Sequence, residues 1–180
     1  MRTLRMVIVA AAATLVLLGV GAPTATAAMD SCPHQFGSHQ RLTDAGGAVV
    51  QEWTLTDLRP STDPATGYPL AGRLWEATAS VHAVSGTVTP IIPNFGAMSA
   101  SGDRYQVLWQ LSTPAGISGA TIGAGQTSTG KLYFDVTGAD PAGVMHMSGP
   151  KPVMMWCDDA AMMSMMAMVM SMPMDDCPCC

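Results

Sequence analysis

The sequence predicts an all-β protein built as an antiparallel β-sandwich. Several short stretches alternate between apolar and polar residues with a period of two, which is typical of half-buried strands. Glycine and proline separate these stretches at short intervals, and no amphipathic helical repeat appears before Asp158. Short alternating strands with turn residues between them favour a sandwich over a helical fold.

The clearest strand begins at Arg73. One side of it is apolar and the other is polar, so the strand should bury the first set and expose the second. The predicted inward residues are Trp75, Ala77, Ala79, Val81 and Ala83, and the predicted outward residues are Glu76, Thr78, Ser80 and His82. Gly86 and Pro90 then interrupt the pattern, which predicts a turn or bulge into a short strand near residues 87–88.

The same alternation predicts strands at 49–58, 105–111 and 131–136, and an apolar run predicts a last strand at 152–156. Their predicted inward residues include Val49, Trp53, Leu55, Tyr105, Val107, Trp109, Leu111, Leu132, Phe134 and Val136. Between them, the proline-rich stretch 59–69 and the glycine-rich stretch 116–130 are predicted loops. Residues 30–39 are polar and are predicted to be irregular.

The first 27 residues have the pattern of a secretory signal peptide. Arg2 and Arg5 precede an uncharged apolar run at 6–20, and Ala25-Thr26-Ala27 provides small residues for cleavage before Ala28. A retained membrane anchor is the less favoured alternative, because the run is shorter than the roughly 20 residues that span a bilayer. We therefore expect a secreted protein, extracellular or associated with the cell envelope, with no transmembrane span in the mature chain.

The mature chain should form one sandwich domain at 28–157, followed by a tail at 158–180. Cleavage removes two arginines and takes the formal net charge from −5 to −7. Nucleic acids and anionic membrane surfaces bind clustered cations, so this charge balance argues against both as partners. The expected partner is a protein or surface ligand that the sequence does not identify.

Six stretches of the chain carry a family resemblance. They are Gly67-Tyr68-Pro69, Leu74-Trp75-Glu76-Ala77-Thr78-Ala79, Gly86-Thr87-Val88-Thr89-Pro90, Val107-Leu108-Trp109-Gln110, Ile117-Ser118-Gly119-Ala120-Thr121-Ile122 and Ser128-Thr129-Gly130-Lys131-Leu132-Tyr133-Phe134-Asp135-Val136-Thr137-Gly138. In this order, across residues 36–156, the chain resembles the MPT-sixty-three/MPB-sixty-three family of mycobacterial immunogenic secreted proteins. The resemblance implies an immunoglobulin-like β-sandwich that is secreted, antigenic and without established activity, and it brings no catalytic residues. It offers no explanation for Cys32, Cys157 or the tail.

No arrangement of residues predicts an enzyme. Glu52 and Glu76 are the only glutamates, and both fall on strand faces predicted to meet water, as does His82. The spacing of Gly125 to Lys131 matches a phosphate-binding loop, but Leu132 replaces the metal-binding Ser or Thr, and Lys131 is predicted to open a strand rather than a helix. A glycine-rich hairpin loop is the better interpretation.

The tail has an unusual composition, with eight methionines in the thirteen residues 162–174 and cysteines at its end. Thioethers and thiolates are soft ligands that favour Cu(I), and Met145-His146-Met147 adds donors before the tail. The candidate Cu(I) ligands are Met168, Met170, Met172, Met174, Cys177, Cys179 and Cys180. A blue-copper centre is disfavoured, because no histidine follows Cys157. His146 is expected in a loop bounded by glycine and proline.

Two other interpretations of the tail remain open. Residues 159–172 could form a short helix, apolar all round, that associates with an apolar surface, since methionine adapts to irregular contacts. The tail could also be a coding accident without a role.

The cysteine count is odd, with five in the chain. Cys32 and Cys157 lie near the two ends of the predicted sandwich, where chain termini are often close, so a disulfide between them is a candidate. Cys177, Cys179 and Cys180 compete for the same partners. The sequence thus predicts a non-catalytic secreted binding or antigenic module, with extracellular Cu(I) binding by the tail as the alternative function.

Overall fold

The computed structural model describes residues 34–158, which form two antiparallel four-stranded sheets packed as a sandwich. The strands are β1 (His39–Asp44), β2 (Val49–Pro60), β3 (Arg73–Ser85), β4 (Phe95–Ser99), β5 (Arg104–Gln106), β6 (Thr127–Val136), β7 (Pro141–Ser148) and β8 (Lys151–Cys157). Sheet one has the order β1-β2-β3-β6, and sheet two has the order β5-β4-β7-β8. Short 3-10 turns lie at Ala45–Gly47 and Ile92–Asn94. The all-β sandwich prediction is confirmed.

The apolar sides of β2, β3 and β6 form one wall of the core, as their alternation predicted. Trp53 lies opposite Val81, and Trp75 lies opposite Phe134. Trp53 and Phe134 are fully buried. Sheet two supplies Phe95, Val144 and Trp156, and the ring centroids of Trp53 and Phe95 are 4.8 Å apart in an edge-to-face contact. Large apolar side chains from both sheets therefore fill the space between them.

The predicted strand at 105–111 is wrong beyond Gln106. The chain leaves β4 there and runs beside β6, where Val107 bridges Phe134 and the Leu108 amide donates to the Tyr133 carbonyl. A turn closed by the Leu111 amide on the Leu108 carbonyl follows. Trp109, predicted to point inward, is 58% exposed. The alternating pattern spans seven residues, and it could not show that β5 is only three residues long.

Three strands had no alternating pattern that could predict them. In β1 most residues are polar, and the chain near it was predicted to be irregular. In β4 and β7 nearly every residue is buried, because small residues and methionines occupy the outward positions. His146 lies within β7, so the prediction that it lies in a loop is wrong. A strand buried on both faces has no period of two to detect.

The two ends of the sandwich domain meet at β8. Gln35 forms a parallel bridge with Cys157, the Cys157 amide donates to the His34 carbonyl at 3.0 Å, and the Phe36 amide donates to the Cys157 carbonyl. Nearby, the Gln40 side chain pairs with both backbone groups of Met155. Within residues 34–158, no helix is long and apolar enough to cross a membrane.

Candidate functional site

A polar network lies on the outer face of sheet one, centred on Glu76 of β3. The Glu76 carboxylate accepts hydrogen bonds from Ser61 Oγ at 2.6 Å, Lys131 Nζ at 2.9 Å and Arg59 at 3.1 Å. Arg59 and Lys131 come from the flanking strands β2 and β6, directly beside or near Glu76 in the register. Burial opposes ionisation of Glu76, yet these donors together lower its pKa. Glu76 is thus a buried, ionised and fully paired carboxylate.

Asp63 extends the network from the loop between β2 and β3. Its Oδ2 accepts from Lys131 Nζ at 2.7 Å and from the Tyr133 hydroxyl at 2.6 Å. The bonds from Lys131 and Tyr133 lower the pKa of Asp63, and the same carboxylates raise the pKa of Lys131. Burial and the bond to Asp63 raise the pKa of Tyr133 to about 12. Two carboxylates and two cations balance, so the network carries no net charge.

The prediction that Glu76 faces water is wrong. The loop after β2 folds back over sheet one, where Ser61 and Asp63 reach the network and Ala65 and Tyr68 pack against a second apolar cluster. Only 3% of Glu76 is exposed, whereas Glu52 on β2 is partly exposed and pairs with Arg41. The alternating pattern correctly placed Glu76 away from the core but could not show that a loop covers that face.

Lys131 binds the carboxylates of this network, which argues against a role in binding phosphate. It lies inside β6, with its ammonium group bound to Asp63 and Glu76. The stretch before it leads into a strand and does not open a helix, which agrees with the rejection of a phosphate-binding loop. The predicted glycine-rich hairpin loop is wrong from Thr127 onward, because β6 begins there and pairs with β3.

An apolar cleft of about 240 Å³ adjoins the network. Its lining residues are Pro90, Ile92, Pro93, Val107, Leu108, Trp109, Leu111, Gly116, Ile117, Gly119, Lys131, Leu132 and Tyr133. Trp109 is 58% exposed at this cleft, and Ile91, next to two of its lining residues, is 56% exposed. These are large apolar side chains that the fold leaves in solvent. The cleft can therefore accept an apolar group and stack it on an indole ring.

The sequence contains the residues that form this cleft, but Trp109 was predicted to lie in the core. Trp109 satisfied the alternation of a strand, and Pro90 was predicted only to interrupt the strand pattern. The two prolines of the lining flank Ile91 and Ile92 where the 3-10 turn Ile92–Asn94 begins, and Ile92 packs on the core whereas Ile91 is 56% exposed. A single short turn has no period that separates its buried from its exposed residues.

His146 lies in the core, not at a ligand site. Its ring packs against Phe95 at 4.7 Å and Trp53 at 6.2 Å, and only 3% of the residue is exposed. Burial lowers its pKa to about 4, and its Nδ1 has no hydrogen-bond partner among residues 34–158. The Met145-His146-Met147 donors do not gather at one place, because alternation along β7 turns Met145 away from the side that His146 faces.

Cys157 is disulfide-bonded. Its predicted partner Cys32 lies outside the described residues, as do the predicted Cu(I) ligands Met168, Met170, Met172, Met174, Cys177, Cys179 and Cys180. The hydrogen bonds of Cys157 with His34 and Phe36 bring the chain within two residues of Cys32 to the Cys157 backbone. Among residues 34–158, no group of three or more His, Cys, Asp or Glu side chains is arranged to hold a metal ion.

The chain is similar to a set of mycobacterial proteins. A family model described as a domain of unknown function (DUF1942) matches residues 32–156. The immunogenic protein MPB63 of Mycobacterium bovis is 45% identical over 148 residues, which cover 82% of this chain and 92% of that protein. The immunogenic protein MPT63 of Mycobacterium tuberculosis matches to the same extent. The crystal structure of MPT63, described as a secreted protein, is 48% identical with a TM-score of 0.65 and covers 68% of this chain and 94% of that one.

Proposed function

The chain belongs to the DUF1942 family, which includes the secreted immunogenic proteins MPB63 and MPT63, and we propose that it is an extracellular binding module. In this proposal the module binds a protein surface through the cleft beside Trp109 and catalyses no reaction. The relatives are named as immunogenic proteins rather than enzymes, which agrees with a binding role.

The exposure of Trp109 carries the proposal. A tryptophan contributes most to stability when it is buried, yet this one is more than half exposed beside an apolar cleft. Tryptophan is enriched among the residues that dominate the energy of protein interfaces, because its large ring buries much apolar area while losing little conformational freedom. Ile91, which is 56% exposed, extends the same apolar surface. The matching partner is a protein that inserts an apolar side chain into the cleft.

The polar network supports binding by fixing one wall of the cleft. Lys131 and Tyr133 both line the cleft, and both are held by Asp63 through bonds of 2.7 and 2.6 Å. A preformed wall reduces the conformational entropy lost on binding. The same pairing argues against catalysis, because a general base needs a carboxylate that can accept a proton, and Glu76 and Asp63 both have lowered pKa values.

The test is binding of the fluorescently labelled mature protein to intact macrophages. We expect Trp109→Ala to lower binding at least about tenfold, as for a residue at an interface hot spot. Val153→Ala is the matched control, because Val153 is a similarly exposed apolar residue on the other sheet. Equal binding by the two variants, with unchanged thermal unfolding in both, would remove the cleft from the proposal.

Extracellular Cu(I) binding by the tail is the second candidate function. The observation that favours it is the density of soft donors, with eight methionines at 162–174 and three cysteines after them. Zinc is less suited, because a closed tetrahedral zinc site requires about four thiolate or imidazole ligands. Titration of the reduced mature protein with Cu(I) should show tight binding that is lost when the tail methionines are replaced by leucine. Leucine variants that bind as the parent does would exclude the thioethers as ligands.

A further inference from the structure

Residues 61–72 form the loop between β2 and β3, and we call this loop the strap because it crosses the outer face of sheet one. Asp63 anchors its first part, because its carboxylate accepts hydrogen bonds from Lys131 Nζ at 2.7 Å and from the Tyr133 hydroxyl at 2.6 Å. Asp135 anchors its last part by accepting from the amides of the last two strap residues, each at 2.8 Å. All three partner residues belong to β6, so the strap is tied to that strand at two separate points.

Between the two anchors, the strap is held by apolar packing. Ala65 and Tyr68 are partly buried against the second apolar cluster, and the other residues from 64 to 70 are exposed. The Tyr68 amide donates to the Ala65 carbonyl, so this bond stays inside the strap. Segments with exposed backbone and few buried contacts open locally at a lower free energy than the sheets do. The strap can therefore open while the sandwich remains folded.

The two residues that bind the Asp63 side chain also hold the backbone of the cleft. The Lys131 carbonyl accepts from the Ile117 amide at 3.0 Å, and the Lys131 amide donates to the Ala115 carbonyl at 2.8 Å. The Tyr133 carbonyl accepts from the Leu108 amide at 2.8 Å. Ile117 and Leu108 both line the cleft. The strap and two segments of the cleft wall thus meet on the same two residues of β6.

The strap and the cleft also share apolar side chains. Leu108, Leu111 and Tyr133 line the cleft, and the same three residues belong to the apolar cluster on which the strap packs. Opening the strap would take its apolar residues out of this cluster and the Asp63 carboxylate away from Tyr133. The closed strap therefore supports the cleft through both polar and apolar contacts.

From these contacts we propose that the strap controls the cleft beside Trp109, with Asp63 as its positioning residue. A closed strap holds the Lys131 and Tyr133 side chains in the cleft wall, and an open strap leaves both free to move. Binding must then order these two side chains, which costs conformational entropy that the closed strap has already removed. A bound partner favours the closed strap in turn, because coupling between two equilibria is reciprocal. This inference rests on the proposed function, which makes the cleft a binding site.

Amide hydrogen exchange in the full mature chain tests the coupling without any partner. Asp63→Ala removes the first anchor and should speed exchange of the Leu108 and Ile117 amides on the order of tenfold, because local opening then exposes them more often. The Ile122 amide is the internal reference, since it lies in the same connection between β5 and β6 but bonds to Val88. Its exchange should not change. Unchanged exchange at Leu108 and Ile117 would overturn the proposal.

Asp135→Ala is the matched control variant. It frees the last part of the strap without removing a bond to the side chains that hold Asp63, so it should speed exchange at residues 71–72 and leave the cleft amides as in the parent. Equal acceleration of the cleft amides by both variants would overturn the role of Asp63. If Asp63→Ala speeds exchange at Ile122 as well, the whole sandwich has loosened, and Asp63→Asn, which keeps an oxygen acceptor, is judged by the same criterion.

Binding to macrophages separates failure of this inference from failure of the proposed function. Asp63→Ala frees Lys131 and Tyr133 in every molecule, so we expect binding to fall on the order of fivefold. Binding as in the parent, when Trp109→Ala is impaired, would overturn control by the strap and leave the proposed function intact. If Trp109→Ala binds as the parent does, the proposed function fails, and the exchange rates of the cleft amides alone decide the coupling.

Discussion

Sheet one buries a glutamate and sheet two buries a histidine, and the two side chains are held in opposite ways. Glu76 of sheet one and His146 of sheet two are each only 3% exposed. Glu76 has three donors around its carboxylate, two of them cations. His146 is surrounded by the rings of Trp53 and Phe95, and its Nδ1 has no partner within the described part of the chain. Glu76 is therefore buried with its charge, and His146 is buried without one.

The pKa of both groups is lowered, but for different reasons and with different consequences. Burial favours the neutral form of each group, and in Glu76 the donors overcome it, whereas in His146 it acts alone. In sheet one, loss of the donors around the charged Glu76 would therefore destabilise the fold. Sheet two holds a neutral residue that is costly to charge.

The largest loss of stability should come from removing the disulfide bond of Cys157 in sheet two. We propose that Cys157 pairs with Cys32, since residues 34–36 already lie beside it. A bond closing more than a hundred residues stabilises a fold by about 4–5 kcal/mol in the chain-entropy model, so Cys32→Ser with Cys157→Ser should lose that much in urea unfolding. The loss should also loosen β8 beside β7 and move the pKa of His146 toward its ordinary value, without disturbing Glu76. Peptide mapping under non-reducing conditions that joins Cys157 to Cys177, Cys179 or Cys180 would contradict the pairing.

The next largest loss of stability should come from the polar network of sheet one. Glu76→Ala leaves Lys131 and Arg59 without their buried partner and should cost about 3–4 kcal/mol, toward the low end for a broken buried pair because Arg59 is partly exposed. Glu52→Ala is the matched control on the neighbouring strand, where the pair with Arg41 is more exposed and should contribute less than about 1 kcal/mol. Similar losses in urea unfolding of the two variants would show that the network is not effectively buried.

A pH titration of stability separates the two buried groups. The unfolded chain takes up a proton on His146 near pH 6.5, but the folded protein does so only near pH 4, so stability should fall by about 3 kcal/mol as the pH drops between these values. Stability from Glu76 is present above its unfolded pKa of about 4.5 and is lost only as the pH falls further, toward its lowered folded pKa. His146→Leu should flatten the first phase and leave the second. If stability still falls over the same pH range in that variant, a group other than His146 causes the first phase.

Sequence reasoning succeeded where burial alternates and failed where it does not. Trp53, Trp75 and Phe134 were placed correctly because each lies on a strand with one apolar side. Trp109 fitted the same pattern on a strand that ends too early. His146 and Glu76 depend on contacts distant in sequence: the first on rings from β2 and β4, the second on a loop that folds back from β2. The family resemblance identified the fold, but it contained no information on either environment.

The smallest effect tests whether the loop over sheet one is held by the network or merely rests on it. The Tyr133 hydroxyl donates to Asp63 at 2.6 Å, and Tyr133 is 2% exposed within the second apolar cluster. Tyr133→Phe keeps the ring and removes one bond to a carboxylate that Lys131 still partners, so it should cost about 1.5 kcal/mol in urea unfolding, the low end for a bond to a charged group. Tyr105→Phe is the control, because Tyr105 lies on β5 of sheet two and its hydroxyl donates to the Ala139 carbonyl in the loop between β6 and β7. If the network holds the loop, Tyr133→Phe should also speed amide exchange at 61–69, and Tyr105→Phe should not. Unchanged exchange in Tyr133→Phe would leave the apolar contacts of Ala65 and Tyr68 as the cause of loop closure, and the network would then be a consequence of the covered face.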